Sequence, residues 1–173
     1  MCNFWSAIVT KNGDVLCDDM MDSHEDIINK YKDKYDLKDD ETDPEKLRFA
    51  RIEITPPNSD VFQPVKKWNF KIDQEIKPKW FTKTDEQNCR KVLSEFTKKA
   101  IIKGKKIDSI ESGRYWIKDC KIKEMLKNVL IVQMRETSQV GTMENISIAF
   151  IPDNGKHHII CANTDLFILE KHK

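Results

Sequence analysis

At 173 residues, with 39% apolar and 34% charged side chains, the chain can bury one medium-sized core, or one core with an appendage, and is not a disordered segment. Its 30 basic and 29 acidic residues leave a formal charge of +1, which excludes a general nucleic-acid coat. The absence of a run of roughly 18 apolar residues or of a signal peptide leads us to expect a cytoplasmic protein with no membrane association. Five scattered cysteines, Cys2, Cys17, Cys89, Cys120 and Cys161, form no C-x-x-C pair, so reduced thiols are expected rather than a disulfide framework or zinc ribbon, and no cofactor or metal is expected.

The opening Phe4 to Thr10 is β-branched and aromatic, Lys11-Asn12-Gly13-Asp14 supplies an Asn-Gly turn, and Val15 to Cys17 resumes the apolar pattern, which predicts a β-hairpin. Ser23 and Asp26 have the spacing of a helix cap, and Ile27, Ile28, Tyr31 and Tyr35 then share one side of a helix running to about Lys34. Acids crowd between Asp36 and Asp43, and Asp43-Pro44 opens a short turn through Leu47. That stretch reads as a solvated loop, because it lacks the alternating oxygens and central glycine of a calcium loop. Arg51 to Thr55 and Trp68 to Ile72 read as strands of the hairpin's sheet. Thr84 with Gln87 predicts a second capping box, Val92, Leu93, Phe96 and Ala100 give the next helix its apolar stripe, and Gly104 follows its end. Residues 1–105 are therefore expected to form an α+β domain, two main helices on a mixed or antiparallel sheet.

From Ser109 the composition shifts toward Ile, Val, Met and Asn, and Ile122 and Met125 recur nine residues later as Ile131 and Met134, then as Val140 and Met143. Such an interval suggests stacked short strands of a solenoid or β-roll, in which the three methionines would form one column. The calcium-binding form is excluded, because between Ile122 and Met143 there is Gly141 but no Asp. Two other readings stand beside it: Ile122, Met125, Leu126 and Val129 also fit a helical stripe, and Asn154-Gly155 is an ordinary hairpin signal. On any of them, residues 106–173 form a β-rich region ending in a hairpin, with His158 to Cys161 and Leu166 to Leu169 as its last strands.

Chemistry is signalled first by Cys2. Removal of Met1 would leave a thiol and a free α-amine on one residue, and the amine can serve as base for its own nucleophile, as in N-terminal-nucleophile enzymes. Such a nucleophile starts a strand that leads into a hairpin, as Cys2 does here; the other reading is an apolar thiol buried beside Phe4 and Trp5. Two assistants stand out: His24 at the start of the first helix, and Glu53, the one acid of the strand Arg51 to Thr55, which faces either solvent or a pocket on the sheet. Asp73-Gln74 closes the strand Trp68 to Ile72, where it would hydrogen-bond a substrate or cap a turn. His157, His158 and Cys161 do not make a metal site, since adjacent strand residues point to opposite faces.

The opening Met1 to Val9, with Ser23-His24, Arg51 to Pro56, Asp73-Gln74 and Gly113 to Asp119, resembles a group of small phage and prophage proteins. In that group an MCNF start precedes an α+β domain and often β-solenoid-like repeats. The resemblance implies an accessory protein of a mobile element, acting in the host cytosol, with a site of Cys2, His24 and Glu53 as catalytic residues and Asn3, Asp73 and Gln74 binding substrate. The Met-Cys opening is also similar to glutamine amidotransferases and to the SRAP proteins that crosslink to abasic DNA, which usually continue with glycine where this chain has Asn3. The expected function is thus thiol chemistry on a carbonyl, amide or aldehyde. The alternative is a non-catalytic counter-defence protein that binds and blocks a host nuclease, such as a CRISPR effector.

Overall fold

A computed structural model of the chain describes residues 4–126, 129–135, 138–143 and 148–149. The chain divides into two units, Met1–Thr97 and Lys98–Lys173, so the division falls earlier than the expected 105. No helix of the described residues is long and apolar enough to cross a membrane.

The N-terminal unit is α+β. Strands β1 (Trp5–Thr10), β2 (Val15–Leu16), β3 (Phe49–Thr55) and β4 (Asn69–Ile72) form one sheet in the order β2-β1-β3-β4. Every pairing is antiparallel, so the mixed option is not used. The hairpin forms as the Asn-Gly signal requires, with Gly13 at φ 86, a conformation that costs glycine little. Helix α1 (His24–Tyr35) starts where Ser23 caps it by accepting from Asp26 N–H, and ends on Asp36 in the left-handed region. Its Ile27 and Ile28 are buried with Ile8, Leu16, Leu37 and Phe49, while Tyr31 and Tyr35 pack at the margin. Each buried isoleucine contributes about 1.5–3 kcal/mol.

Helix α2 (Lys83–Ala100) begins before the expected cap. Thr82, not Thr84, holds the start: its N–H and hydroxyl both donate to the Asp85 carboxylate, and Glu86 N–H donates to Thr82 O. Two capping spacings overlap here, and the charged Asp85 is the stronger acceptor. Cys89, Leu93, Phe96 and Ala100 make the buried stripe. Phe96 meets Phe4, which in turn stacks edge-on against Trp68 at 4.6 Å.

The C-terminal unit is built of parallel pairs. After α2 the chain enters β5 (Ile101–Lys103) directly, and Gly104, expected to end the helix, instead turns the chain at φ 58 into β6 (Lys106–Ile110). Next come β7 (Gly113–Lys118), β8 (Lys121–Met125), β9 (Val129–Arg135), β10 (Gln139–Met143) and β11 (Ile148–Ala149). Alternate strands pair, giving one sheet of order β10-β8-β6 and another of order β11-β9-β7-β5, every neighbour parallel. The helical alternative for Ile122 and Met125 is therefore overturned. Ile122 lies opposite Ile107, fifteen residues before it, and opposite Val140, eighteen after it. Two nine-residue intervals thus make one return to the same sheet. The expected single methionine column splits: Met125 pairs with Met143, while Met134 lies on β9 in the other sheet. Ile102, Ile110, Ile117, Cys120, Ile122, Met125, Val129, Ile131 and Val140 form one buried cluster. The Asn154-Gly155 hairpin, the last two expected strands, and His157, His158 and Cys161 lie outside the described residues.

Candidate functional site

Cross-strand pairing puts paired side chains on the same face. Ser6 lies opposite Glu53, and Glu53 opposite Lys71. Two residues along β1, Ile8 packs under α1, so Ser6, Glu53 and Lys71 stand on the α1 face, past the apolar patch that α1 covers. Asp73, two residues beyond Lys71, keeps that face. His24, the first residue of α1, arrives there because the Ser23 cap fixes where the helix begins.

His24 is 7% exposed. One ring nitrogen, Nε2, is 2.9 Å from the carbonyl oxygen of Ile52, which can only accept, so Nε2 carries the proton. The other, Nδ1, lies 3.9 Å from Asp73 Oδ2. Asp73 is also in an ion pair with Lys71. That contact, opposed by partial burial and reinforced by the charge of Lys71 and by His24, holds the Asp73 carboxyl below its usual range. The Lys71 ammonium is raised in turn, by Asp73 first and by Glu53 more weakly. Among the described residues no group of three or more His, Cys, Asp or Glu is arranged to hold a metal ion.

The expected site residues fare differently. Cys2 and Asn3 lie outside the described residues. His24 and Asp73 come together, and His24 is anchored on the carbonyl just before Glu53, which is half-buried between Ser6 and Lys71. Gln74 has a backbone task at both ends of its amide: Oε1 accepts from Arg51 N–H at 2.7 Å and Nε2 donates to Ile76 O at 2.6 Å. With Asp73 N–H on Arg51 O at 2.8 Å, residues 73–74 continue the β3–β4 ladder. Of the thiols, Cys89 is pushed up to about 12, by burial first and by Asp85 and Glu86 after it, and is inert at neutral pH.

Sequence reasoning missed Ser6 and Lys71. Lys71 was legible, since it shares a face with Asp73 at a spacing of two in a strand. Ser6 was not: its hydroxyl, 1% exposed, donates to the carbonyl of Asp22 at 2.7 Å, a contact between elements sixteen residues apart.

No protein-family model, curated protein or solved structure matches the chain.

Proposed function

We propose that the α1 face of the N-terminal sheet is a thiol-dependent site, with Cys2 as nucleophile, His24 as base, and Asp73 and Glu53 setting the charge around it. The observation that carries this reading is the oriented imidazole: Nε2 is pinned on a main-chain carbonyl and Nδ1 faces Asp73. A base held by a third group is the arrangement that nucleophilic catalysis uses. Chain length is consistent with it, since three peptide units keep the Cys2 Cα within about 11 Å of that of Trp5, where β1 begins. In the step envisaged, the Cys2 thiol passes its proton to the α-amine or to His24 Nδ1, Sγ bonds to a substrate carbonyl carbon, and the π electrons move to the carbonyl oxygen. Asn3 and Asp73 are the substrate-binding candidates that keep a role; Gln74 keeps the ladder.

We read the C-terminal unit as a two-sheet β-solenoid, supported by parallel pairing of alternate strands and the eighteen-residue return. With the MCNF opening, this supports a phage-type accessory protein acting in a host cytosol.

The test uses the full chain produced without an amino-terminal tag. Intact mass is expected to show loss of Met1, and Cys2 is expected to react with iodoacetamide at neutral pH faster than Cys17 and far faster than Cys89. His24→Gln, which keeps a donor for the Ile52 carbonyl, is expected to slow Cys2 about 10-fold. Retained Met1, or a Cys2 no faster than Cys17, overturns the thiol reading and leaves the non-catalytic nuclease-binding function.

A further inference from the structure

The antiparallel sheet of the N-terminal unit ends on β4, and its apolar rows stop there incomplete. Trp5 lies opposite Ile54, and Ile54 opposite Phe70; Ala7 lies opposite Ile52, and Ile52 opposite Ile72. Paired residues share a face, so these are two rows on the side of the sheet away from Ser6, Glu53 and Lys71. Trp5, Ala7, Ile52 and Ile54 are at most 1% exposed, whereas Phe70 and Ile72 are only half-buried, because no strand follows β4 in this sheet. Phe81 stands 5.9 Å from Phe70, and the Arg90 guanidinium lies 5.6 Å from the same ring, yet Phe70 keeps part of its surface in water.

The main chain is incomplete at the same two residues. Asp73 N–H donates to Arg51 O at 2.8 Å, which fixes the alternation of the ladder: Lys71 and Asp73 direct their main-chain groups at β3, and Phe70 and Ile72 direct theirs outward. Just before them Trp68 is satisfied, its N–H on Val65 O at 3.0 Å and its carbonyl accepting from Arg90 Nη1 at 3.2 Å. Among the described residues the outward N–H and C=O of Phe70 and Ile72 make no hydrogen bond. The pairing of β4 with β3 contains no bulge and the strand no proline, two devices that blunt an edge. The surroundings are basic. Residues 65–79 carry five lysines against Asp73 and Glu75, in a unit with 16 basic and 20 acidic side chains. Lys71 and Lys79 are held in ion pairs by Asp73 and Glu45, while Lys66, Lys67 and Lys77 are exposed and make none among the described residues.

We propose that the outer edge of β4 is a docking site for an extended peptide segment of a partner protein, with two apolar side chains at alternate positions and acidic residues flanking them. The added strand exchanges main-chain hydrogen bonds with Phe70 and Ile72, and its apolar side chains continue the two rows on the same face. Its acidic residues answer Lys66 and Lys67, which lead into β4. The residue between the apolar pair falls beside Lys71, whose charge Asp73 already meets, so a neutral side chain suits that position. A second copy of this chain fits less well. Antiparallel pairing of β4 with itself engages Phe70 and Ile72 of both copies only in the register that sets Lys71 opposite Lys71, and like charges directly opposite are unfavourable. The site does not depend on the thiol chemistry proposed for the other face.

The test is NMR of the full isotope-labelled chain with the blocked peptide Glu-Glu-Val-Thr-Val-Glu-Glu, whose symmetric sequence serves either strand direction. At about 1 mM peptide, a Kd of about 100 µM predicts hydrogen exchange roughly 10-fold slower at the Phe70 and Ile72 amides, with Lys71 and Asp73 little changed. Lys66→Glu with Lys67→Glu is expected to weaken binding about 5-fold, and the peptide with lysine in place of glutamate is expected to bind more weakly still. Ile72→Pro removes a donor that the ladder does not use, a change an edge strand accepts, and is expected to weaken binding about 5-fold. Circular dichroism of each variant reports that the fold is kept, and the exchange measurement on the parent chain decides the question should Ile72→Pro not fold. No shifts at about 1 mM peptide, protection that spares Phe70 and Ile72, or equal binding of the lysine peptide overturns the proposal. So does a chain that sediments as a dimer with both amides already protected.

Discussion

The two units bury isoleucine and methionine by opposite means. In the N-terminal unit the central strand β1 is buried along its whole length, because α1 brings Ile27 and Ile28 onto one face and aromatic side chains such as Trp5 fill the other. Its connections are hairpins and helices, and its pairing is antiparallel throughout. In the C-terminal unit strands β5 to β11 follow one another with no helix among the described residues, and alternate strands pair in parallel into two sheets. The first arrangement leaves one patch of a face open, and polar side chains from four different elements meet there. The second sets residues of neighbouring parallel strands opposite one another, as it does Ile107 and Ile122. Convergence brings unlike side chains together, and parallel pairing brings equivalent positions into register.

Core truncations are the strongest way to break this contrast. Ile8 and Met125 are both fully buried, one under α1 and one between layers. Ile8→Ala and Met125→Ala are each expected to cost about 2–5 kcal/mol in urea unfolding. Hydrogen exchange resolved by segment is expected to lose protection in β1–β4 for the first and in β6, β8 and β10 for the second. A loss confined to neither set would remove the distinction.

Gly141 sharpens it further, since the close approach of a neighbouring strand explains that residue. A Cβ built there would lie 2.3 Å from the carbonyl oxygen of Lys123 on the neighbouring strand. Gly141→Ala must push β10 from β8 and is expected to cost about 1–3 kcal/mol, read as a lowered urea midpoint. Gly104 is the opposite case, with open space around its Cβ position but a left-handed φ of 58. Gly104→Ala is expected to cost about 1–2 kcal/mol, and Gly104→Asn less, because asparagine tolerates that conformation. Equal costs for alanine and asparagine at 104 would show that the left-handed φ does not set the residue.

These same positions explain what could be read from the chain alone. The N-terminal unit was legible nearly to its boundaries, because its signals are local: an Asn-Gly turn, a Ser23 cap, period-two strands. The α2 cap was misplaced by two residues because Thr82/Asp85 and Thr84/Gln87 offer competing boxes. In the C-terminal unit the apolar positions of β6 and β8 fall three apart, Ile107 with Ile110 and Ile122 with Met125. Strict alternation cannot place both on one face, so that spacing imitates a helix. The register shows no Cα pairing for Asp108 or Lys123 between them. The nine-residue interval carried the layer length at half value, since each interval crosses to the other sheet. Of the site, His24, Glu53 and Asp73 were visible as residues out of keeping with their elements. Gln74 was ambiguous: a polar residue just past a strand end looks the same whether it binds a ligand or extends a ladder.

The smallest expected effect concerns acid, and it belongs to the N-terminal unit's polar face and loop. Asp73 is held below the usual carboxylate range by Lys71, Asp36 by Lys38 and Arg48, and Asp43 by the Glu45 N–H and Lys46. In each case the folded chain binds the proton less readily than the unfolded chain, so unfolding takes up protons below about pH 4. The stability these groups contribute is fully present above that pH and is lost as pH falls through their folded values. The Asp73 carboxylate is one-third exposed, which screens its pairing and keeps its share small. A melting series from about pH 5 to about pH 2 is expected to slope downward toward acid, less steeply for Asp73→Asn than for the parent chain. Lys71→Met is expected to flatten the same limb, because removing the ammonium returns Asp73 toward its ordinary value. If Asp73→Asn superimposes on the parent profile while Lys71→Met does not, the lysine acts on Glu53 instead, and the charge balance of the polar face is centred one strand closer to β1.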